Sequence, residues 1–565
     1  MRVLGIHDGH NASVCLIEDG KIRFAIQEER LVYEKNKGGF PHKSIARLFE
    51  VTNFLAKDID KVAVASEHTS VVFAADEYFE RQRKGSLQRN LEHLAKKTPF
   101  YAFYKSQRRK DRVKNLTALG FAEKDIFFVD HHLCHAATAY FGSHFPRDEK
   151  ILVLTNDGAG DGLCATVSIG QNNTLTRLTE IKSENSLAGI YCLTTQLLGF
   201  KPLEHEYKLM GMAPYASPSA EEKGYALFKD LVTISSENKL HFSHTGKSIS
   251  LLLPVLKKRF HFQRFDTICA GLQKFTEEVL VQWAKNCLQE TGVRKMALAG
   301  GIFMNVKVNK KIMELPEVED LFIFPSCGDE TVSIGAAYQV YNDLHGNSPF
   351  VESLPHFYLG DSFTNVAVVE ELQTRKECKN FSFKKVKNIE KELARLLAAG
   401  KVVARCKGPM EFGARALGNR SILADPSNLR CVREINMMVK KRDFWMPFAP
   451  VILAEKQHDY LVNPKNVKAP YMILTFDAIK PEQFIAAVHQ ADLTARPQVI
   501  TEEMNPEYYQ ILKEFSSLTG RGVLLNTSFN LHGFPIVHGP KEALDVFFKS
   551  DLKYLALGDY LVEKN

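Results

Sequence analysis

No CxxC pair occurs among the ten cysteines of this chain, which leaves no spacing for a zinc knuckle or a disulfide framework. A reducing cytosol fits that usage. No run of about 20 apolar residues is present, so no membrane span is expected. The apolar start broken by His7-Asp8 is too short for a signal sequence, and a cytoplasmic location is the expectation. No GxSxG elbow surrounds Ser528, which argues against an acyl-serine nucleophile. Extreme charge is also lacking: +7 over 565 residues is modest. Much of the basic excess, including Arg81, Arg83, Lys84, Lys96, Lys97, Arg108, Arg109, Lys110 and Arg112, lies between Arg81 and Lys114. It reads either as a solvated helix face or as a docking surface for an anionic partner. No RNA-binding aromatic motif accompanies it, and nucleic acid is not an expected partner.

What is present is a globular composition, 45% hydrophobic and 25% charged, long enough for about two to four domains. Val3–Ile6 and Ser13–Ile17 read as two strands joined by a polar loop, closed by the turn Glu18-Asp19-Gly20. The pattern returns at Ile151–Leu154, Asp157-Gly158 and Ala165–Ile169, which predicts a duplicated α/β domain. Before the second copy, the apolar run Ile126–Val129 leads into Asp130-His131-His132-Leu133-Cys134-His135. A helix from His131 with Asp130 as N-cap would place His131 and His135 one turn apart and rotate His132 away. Two imidazoles on one helix face can offer two nitrogen ligands to a metal.

Two further aspartates stand at predicted strand ends. Asp157 ends the strand of the second hairpin, and Asp329 follows Leu321–Phe324 at the start of a helix running to Leu344. Asp329 also fits a helix N-cap. With His131 and His135 they would form a mixed nitrogen and oxygen site for Fe(II), Zn(II) or Mn(II). Gly300-Gly301 lies at a strand-to-helix junction, with Asn305 and Asn309 on the helix. Such a junction suits a phosphate or a ligand-free tight turn. Lys208 could neutralise an anion or stand exposed on its helix. The Gly, Pro and polar residues from His345 to Pro355 mark a boundary, giving domains 1–350 and 351–565.

Beyond the boundary, Gly408–Ser421 sets Arg415 and Arg420 among glycines, and Lys440-Lys441-Arg442 precedes Trp445 and Phe448. Arginines raised from glycine-rich loops suit bidentate phosphate binding. Arg496 is a further candidate phosphate ligand. Leu524–Asn530 ends an apolar strand in the polar groups of Asn526, Ser528 and Asn530, which could grip a nucleotide or a carbamoyl group.

These motifs, in this order, resemble the ATP-dependent O-carbamoyltransferases of antibiotic and nodulation-factor biosynthesis. The resemblance rests on Asp130–Ala137, Asp157–Gly162, Lys208–Tyr215, Leu298–Gly301, Glu411–Ser421, Pro447–Pro450 and Leu525–Asn530. It implies an α/β chain with a duplicated actin-like (ASKHA) ATPase-fold N-terminal domain and a YrdC-like C-terminal domain. It implies activation of carbamoyl phosphate by ATP, accompanied by Mg, to carbamoyl-adenylate, then transfer of the carbamoyl group to a small-molecule hydroxyl with release of AMP. Arg415, Lys440, Arg496 and Ser528 would hold the phosphates and carbamoyl group, with Arg420, Arg442, Asn526 and Asn530 nearby. Lys208, Gly300, Gly301 and Asn305 would serve nucleotide binding in the other domain. Fe(II), Zn(II) or Mn(II) would sit on His131, His135, Asp157 and Asp329, and His10 would act as general base on the acceptor. A homodimer is left open.

Three positions depart from the family pattern: Met446 replaces an arginine, Phe534 a glutamate and Leu493 a glycine. Loss of one phosphate-facing arginine removes about 1.5–3 kcal/mol of charge-assisted binding unless Lys441 or Arg442 compensates. The competing readings are a tRNA threonylcarbamoyl-type enzyme, a hydrogenase-maturation carbamoyltransferase, which the missing CxxC pairs disfavour, and an inactive binding protein of the same fold.

Overall fold

The chain carries the two predicted hairpins because Val3, Leu4, Ile6, Val14, Leu16 and Ile17, and again Ile151–Leu154, are fully buried apolar runs, as strands covered on both faces require. The computed structural model describes residues 1–68, 99–246, 248–345, 351–375 and 381–564. Two compact units emerge: Met1–Glu28 with Asn36–Leu354, and Glu29–Lys35 with Pro355–Asn565. The expected division at residue 350 would place 29–35 in the first domain. They pack instead within the second unit.

The first unit contains one topology twice. Its first sheet runs in the order Lys21–Gln27, Ser13–Glu18, Arg2–His7, Lys61–Ala65, Ile126–Val129. The first three strands form an antiparallel meander, and the last two are parallel to Arg2–His7. The second sheet repeats this as Thr174–Lys182, Leu163–Gln171, Ile151–Gly160, Lys295–Ala299, Asp320–Ile323, with the same antiparallel and parallel pairings. Each final strand is followed by a helix, His131–Gly142 in the first repeat and Val332–Leu344 in the second. The small residues of the second helix allow close approach. A Cβ on Gly335 would stand 1.9 Å from the Cys134 carbonyl oxygen of the first helix. The cluster Ser333, Gly335, Ala336 and Ala337 is thus a packing stripe.

Of the basic segment, Arg81, Arg83, Lys84, Lys96 and Lys97 lie outside the described residues. Arg112 is not on a solvated face. Its guanidinium is buried and pairs bidentately with Asp8 at 2.7 and 2.8 Å, and Arg109 lies over the Phe128 ring at 4.3 Å.

The second unit is built on a mixed eight-stranded sheet in the order Phe381–Lys385, Tyr560–Lys564, Tyr554–Leu557, Val403–Cys406, Arg420–Ala424, Val523–Ser528, Ala449–Leu453, Gln498–Ile500. The amphipathic helices Ile389–Ala398 and Pro506–Thr519 cover one face, where Leu393, Leu397, Leu423, Leu512, Phe515 and Leu524 form a dry core. At about 1.5–3 kcal/mol per buried side chain of this kind, that face secures the sheet. It leaves the strand ends at Arg420 and Ser528 to carry polar groups.

Candidate active site

Asp130 caps the histidine helix, its carboxylate accepting the Leu133 N–H. His131 and His135 therefore stand one above the other with ring centroids 4.8 Å apart. His131 Nε2 lies 3.5 Å from Asp157 Oδ2 and 3.6 Å from Asp329 Oδ1, and His135 Nε2 lies 3.7 Å from Asp329 Oδ1. One ligand atom from each of the four residues falls within 4.8 Å of the others. Donors bound at about 2.1 Å to one ion sit about 3–4 Å apart, so the spacing fits a metal. Both Nε2 atoms are buried without a hydrogen-bond partner, the state expected of nitrogens reserved for coordination. Asp329 is the first residue of a 3-10 turn whose cap position is Gly328, so its carboxylate faces the histidines instead of capping.

The electrostatics match. Burial works against charge on His131, but Asp329 and Asp157 outweigh it and lift the imidazole to about 9. Asp157 is held well below the usual carboxylate range: burial opposes this, and His131 and His135 overcome it. His132 is driven by burial down to about 3 and so stays neutral, 2.8 Å from Thr155 Oγ1.

Several residues to which the sequence assigned no part in this cluster support it. Ser66 Oγ is 2.9 Å from His131 Nδ1. With Nε2 turned to the cluster, Nδ1–H is the donor, the usual arrangement behind a metal-bound histidine. Asp161 accepts the backbone N–H groups of His131, Glu67 and His68 at 2.8–2.9 Å. Arg112, paired with Asp8, donates to the carbonyls of Ala65 and Ser66 at 3.0 and 2.8 Å. Asp8 is the first repeat's counterpart of Asp157, each the Asp of an Asp-Gly pair that follows the buried apolar run of the hairpin's first strand. His7 Nε2–H donates to the His10 carbonyl at 3.0 Å, and burial lowers its imidazole to about 4. His10 thus sits in a loop braced by a neutral histidine. The same loop is tied to the Asp329 turn, since Asn11 donates to Glu330 at 2.9 Å.

Gly160 passes so close to His131 that an added Cβ would lie 2.0 Å from the imidazole Cδ2. Gly160→Ala is expected to push the ring off the cluster, lowering divalent-metal affinity at least about tenfold and stability by about 1–3 kcal/mol. Metal titration and thermal melting check both. Wild-type metal affinity in the variant would refute it.

The remaining predictions for this unit divide. Gly300 adopts φ +104°, and a Cβ there would stand 2.3 Å from the Asn156 carbonyl oxygen, so the glycine is required by packing. The Gly301 N–H donates to Asp157 Oδ1 at 3.0 Å; it orients a cluster carboxylate. Asn305 is the N-cap of Val306–Met313, not a residue within that helix, and its amide pairs with Gln273 at 2.9 and 3.1 Å. Lys208 is buried, not exposed, with its ammonium 5.3 Å from the Phe200 ring centroid.

In the second unit, Lys440 ends a π-helical turn, Asn436–Lys440, a distortion frequent at functional sites. Its buried ammonium donates to Ser528 Oγ at 3.1 Å and Asn530 Oδ1 at 2.5 Å. Burial, then Arg442 and Lys35, hold it well below its ordinary value. Arg496 is depressed in the same way by burial, then by Arg415 and Arg442. Arg442 donates to Thr527 Oγ1 at 3.1 Å and lies over Phe448. Cations that depress one another are relieved when an anion binds among them.

Arg420 and Asn526 spend their donors inside the fold, while Asn526 Oδ1 is left buried without a hydrogen-bond partner. Arg420 donates to the carbonyls of His538, Gly408, Asn419 and Lys407 at 2.9–3.3 Å, because it begins a buried strand. Asn526 donates to the Ala416 carbonyl at 3.1 Å, so it braces the loop that presents Arg415. Glu411 acts on the same loop, one carboxylate oxygen accepting the N–H groups of Leu417, Asn419 and Arg420 at 2.7–3.1 Å.

The family departures acquire physical content. Leu493 has φ +53°, a left-handed conformation that favours glycine. Leu493→Gly is expected to stabilise the protein by about 1 kcal/mol through release of that strain. A lower melting temperature in the variant would contradict this. Phe534 stacks on Tyr33 at 5.5 Å and 25°. Beside Met446, Arg442 supplies a guanidinium that donates to the Pro447 carbonyl at 3.4 Å, and Lys441 is exposed.

Comparison with known proteins places the chain in a family. A family model described as Carbamoyltransferase N-terminus matches residues 2–338, and one described as Carbamoyltransferase C-terminus matches residues 394–564. Nodulation protein NolNO of Sinorhizobium fredii is 31% identical, covering 98% of this chain and 79% of that protein. Nodulation protein NolO of Bradyrhizobium diazoefficiens is 32% identical over 77% of this chain and 79% of its own length. The 3'-hydroxymethylcephem-O-carbamoyltransferase of Streptomyces clavuligerus is 29% identical over 46% of this chain and 47% of its own. With its N-terminal model spanning the histidine and aspartate cluster and its C-terminal model spanning the cation group, the chain belongs to the O-carbamoyltransferase family of transferase enzymes.

Proposed function

We propose that the protein activates carbamoyl phosphate with ATP at the cation group of the second unit and passes the carbamoyl group to a small-molecule hydroxyl in the first. The observation that carries this reading is the convergence of Arg415, Arg442 and Arg496 with Lys440 and Ser528. In the first step water hydrolyses carbamoyl phosphate, breaking the bond between its carbamoyl and phosphate parts to give carbamate and inorganic phosphate, and a carbamate oxygen then bonds to the α-phosphorus of ATP while the α–β bridge breaks. Pyrophosphate leaves. The cations bind and orient both anions and are fixed before charge shifts, the main catalytic lever in such displacements.

In the second step the acceptor oxygen attacks the carbamoyl carbon, its proton passing to His10, and AMP departs with the electron pair of the broken C–O bond. His131, His135, Asp157 and Asp329 would hold a divalent metal, Fe(II), Zn(II) or Mn(II), which when bound supplies Lewis-acid polarisation or an anchor for a phosphate. His7 holds the His10 loop, and Ser66 and Asp161 hold His131. The test is incubation of the protein with carbamoyl phosphate, ATP and a panel of sugar, nucleoside and polyketide alcohols, followed by mass. A gain of one carbamoyl group with AMP and pyrophosphate is expected. Absence of carbamoyl-phosphate-dependent pyrophosphate would overturn the reading.

A further inference from the structure

The segment Glu29–Lys35 leaves the first unit and returns to it at one point. The Glu28 N–H donates to the Ala12 carbonyl at 2.9 Å, and the Ala12 N–H donates to the Lys37 carbonyl at 2.8 Å. A short polar loop would suffice to bridge such closely held ends. Instead the segment carries a buried ion pair, Arg30 with Glu29 at 3.1 Å, and an aromatic residue, Tyr33, at φ +57°. That conformation is costly for a residue with a Cβ and concentrates at functional positions.

Both features end on loops of the cation site. Arg30 Nη2 donates to the Gly413 carbonyl at 2.6 Å. Gly413 is two residues before Arg415 and adopts φ +84°, so its carbonyl direction sets where the following arginine emerges. Glu411 holds the far limb of that loop through Leu417, Asn419 and Arg420, and Arg30 holds the near limb. At the other end of the segment, Tyr33 stacks on Phe534. The Phe534 carbonyl accepts the Asn530 amide at 2.6 Å, and Asn530 Oδ1 accepts from Lys440 at 2.5 Å and from Ser528 Oγ at 2.7 Å.

We infer that Glu29–Lys35 is a clamp for the anion site: Arg30 and Tyr33 are positioning residues that fix the Arg415 loop and the Asn530 loop relative to Lys440. The inference rests on the proposed function only for the identity of the anion. Phe534 then has a reason to be aromatic, since it is the surface on which the clamp closes.

The test is calorimetric titration of inorganic pyrophosphate into the full-length protein, paired with pyrophosphate-release kinetics. Arg30→Ala is expected to weaken pyrophosphate binding at least fivefold and to raise KM for ATP and carbamoyl phosphate by a similar factor, with kcat changed less than threefold. Arg30→Lys, which keeps a donor for the Gly413 carbonyl, is expected to recover binding to within about twofold. Tyr33→Phe keeps the stack and matches wild type, whereas Tyr33→Ala weakens binding as Arg30→Ala does. Tyr33→Ala also decides the matter should Arg30→Ala fail to fold. Wild-type pyrophosphate affinity in the alanine variants overturns the clamp. A clamp effect on pyrophosphate binding without any carbamoyl-phosphate-dependent release would uphold the clamp and overturn the activity.

Discussion

Asp157→Ala is expected to lower divalent-metal affinity by more than about 100-fold, beyond what loss of an outer partner costs, and to abolish carbamoyl transfer. Carbamoyl-phosphate-dependent pyrophosphate release should stay within about twofold. Asp157 stands between the Gly301 N–H and His131 Nε2, so its removal takes away one ligand and frees the group that oriented it. The metal-free protein gives the expected pH behaviour. His131 keeps its proton up to about 9, against an ordinary 6.5, because Asp329 and Asp157 outweigh burial. Its folded value is raised, so its ion pairs add stability that is fully present below 6.5 and lost as pH rises through about 9. Proton and metal compete for the same Nε2, and metal affinity should climb across that window. Metal analysis of wild type and Asp157→Ala at several pH values is the measurement. Equal metal content in both would end the assignment of this cluster.

The second large effect separates activity from stability. Lys440→Met is expected to reduce pyrophosphate release by roughly 10²–10³-fold, the range for loss of a preorganised charge partner, while metal content is unchanged. It should also raise the melting temperature near neutral pH, by about 2–4 °C for each kcal/mol recovered. The buried ammonium lies well below its ordinary 10.5 because of burial, Arg442 and Lys35. A cation whose folded value is depressed costs stability while the unfolded chain remains protonated. That cost is largest at low pH and fades as pH approaches 10.5. The melting advantage of the variant should therefore shrink with rising pH. A variant less stable than wild type and still active would show that Lys440 is a structural residue. An anion bound as proposed would offset the cost, the trade expected where function and stability conflict.

Local rules carried much of the site. The spacing of His131 and His135 and the cap at Asp130 depend only on helix geometry, and the structure realises both. Asp157 and Asp329 were legible as aspartates following apolar strand runs, since open α/β sheets place ligands at strand ends, although the strand of Asp157 continues to Gly160 and Asp329 opens a 3-10 turn beyond Asp320–Ile323. Ser66 and Arg112 were not. Ser66 meets His131 from 65 positions away and Arg112 meets Asp8 from 104, and no pattern in a single sequence encodes such pairings. Arg415 and Arg420 show the same limit at short range: they share one glycine-rich loop, yet Arg420 begins a buried strand and is taken up by carbonyls.

The sequence by itself determined the α/β class, the repeated hairpins, the histidine helix and the family, because these rest on periodicity, caps and motif order within short windows. Tertiary structure alone decided which polar groups remain available for chemistry. It assigned Gly301 to Asp157, Asn305 to Gln273 and Asn526 to the Ala416 carbonyl, and it placed Glu29–Lys35 with residues more than three hundred positions later. The physical reason is that a buried donor or acceptor must find a partner, and only the assembled fold shows which partner lies within reach.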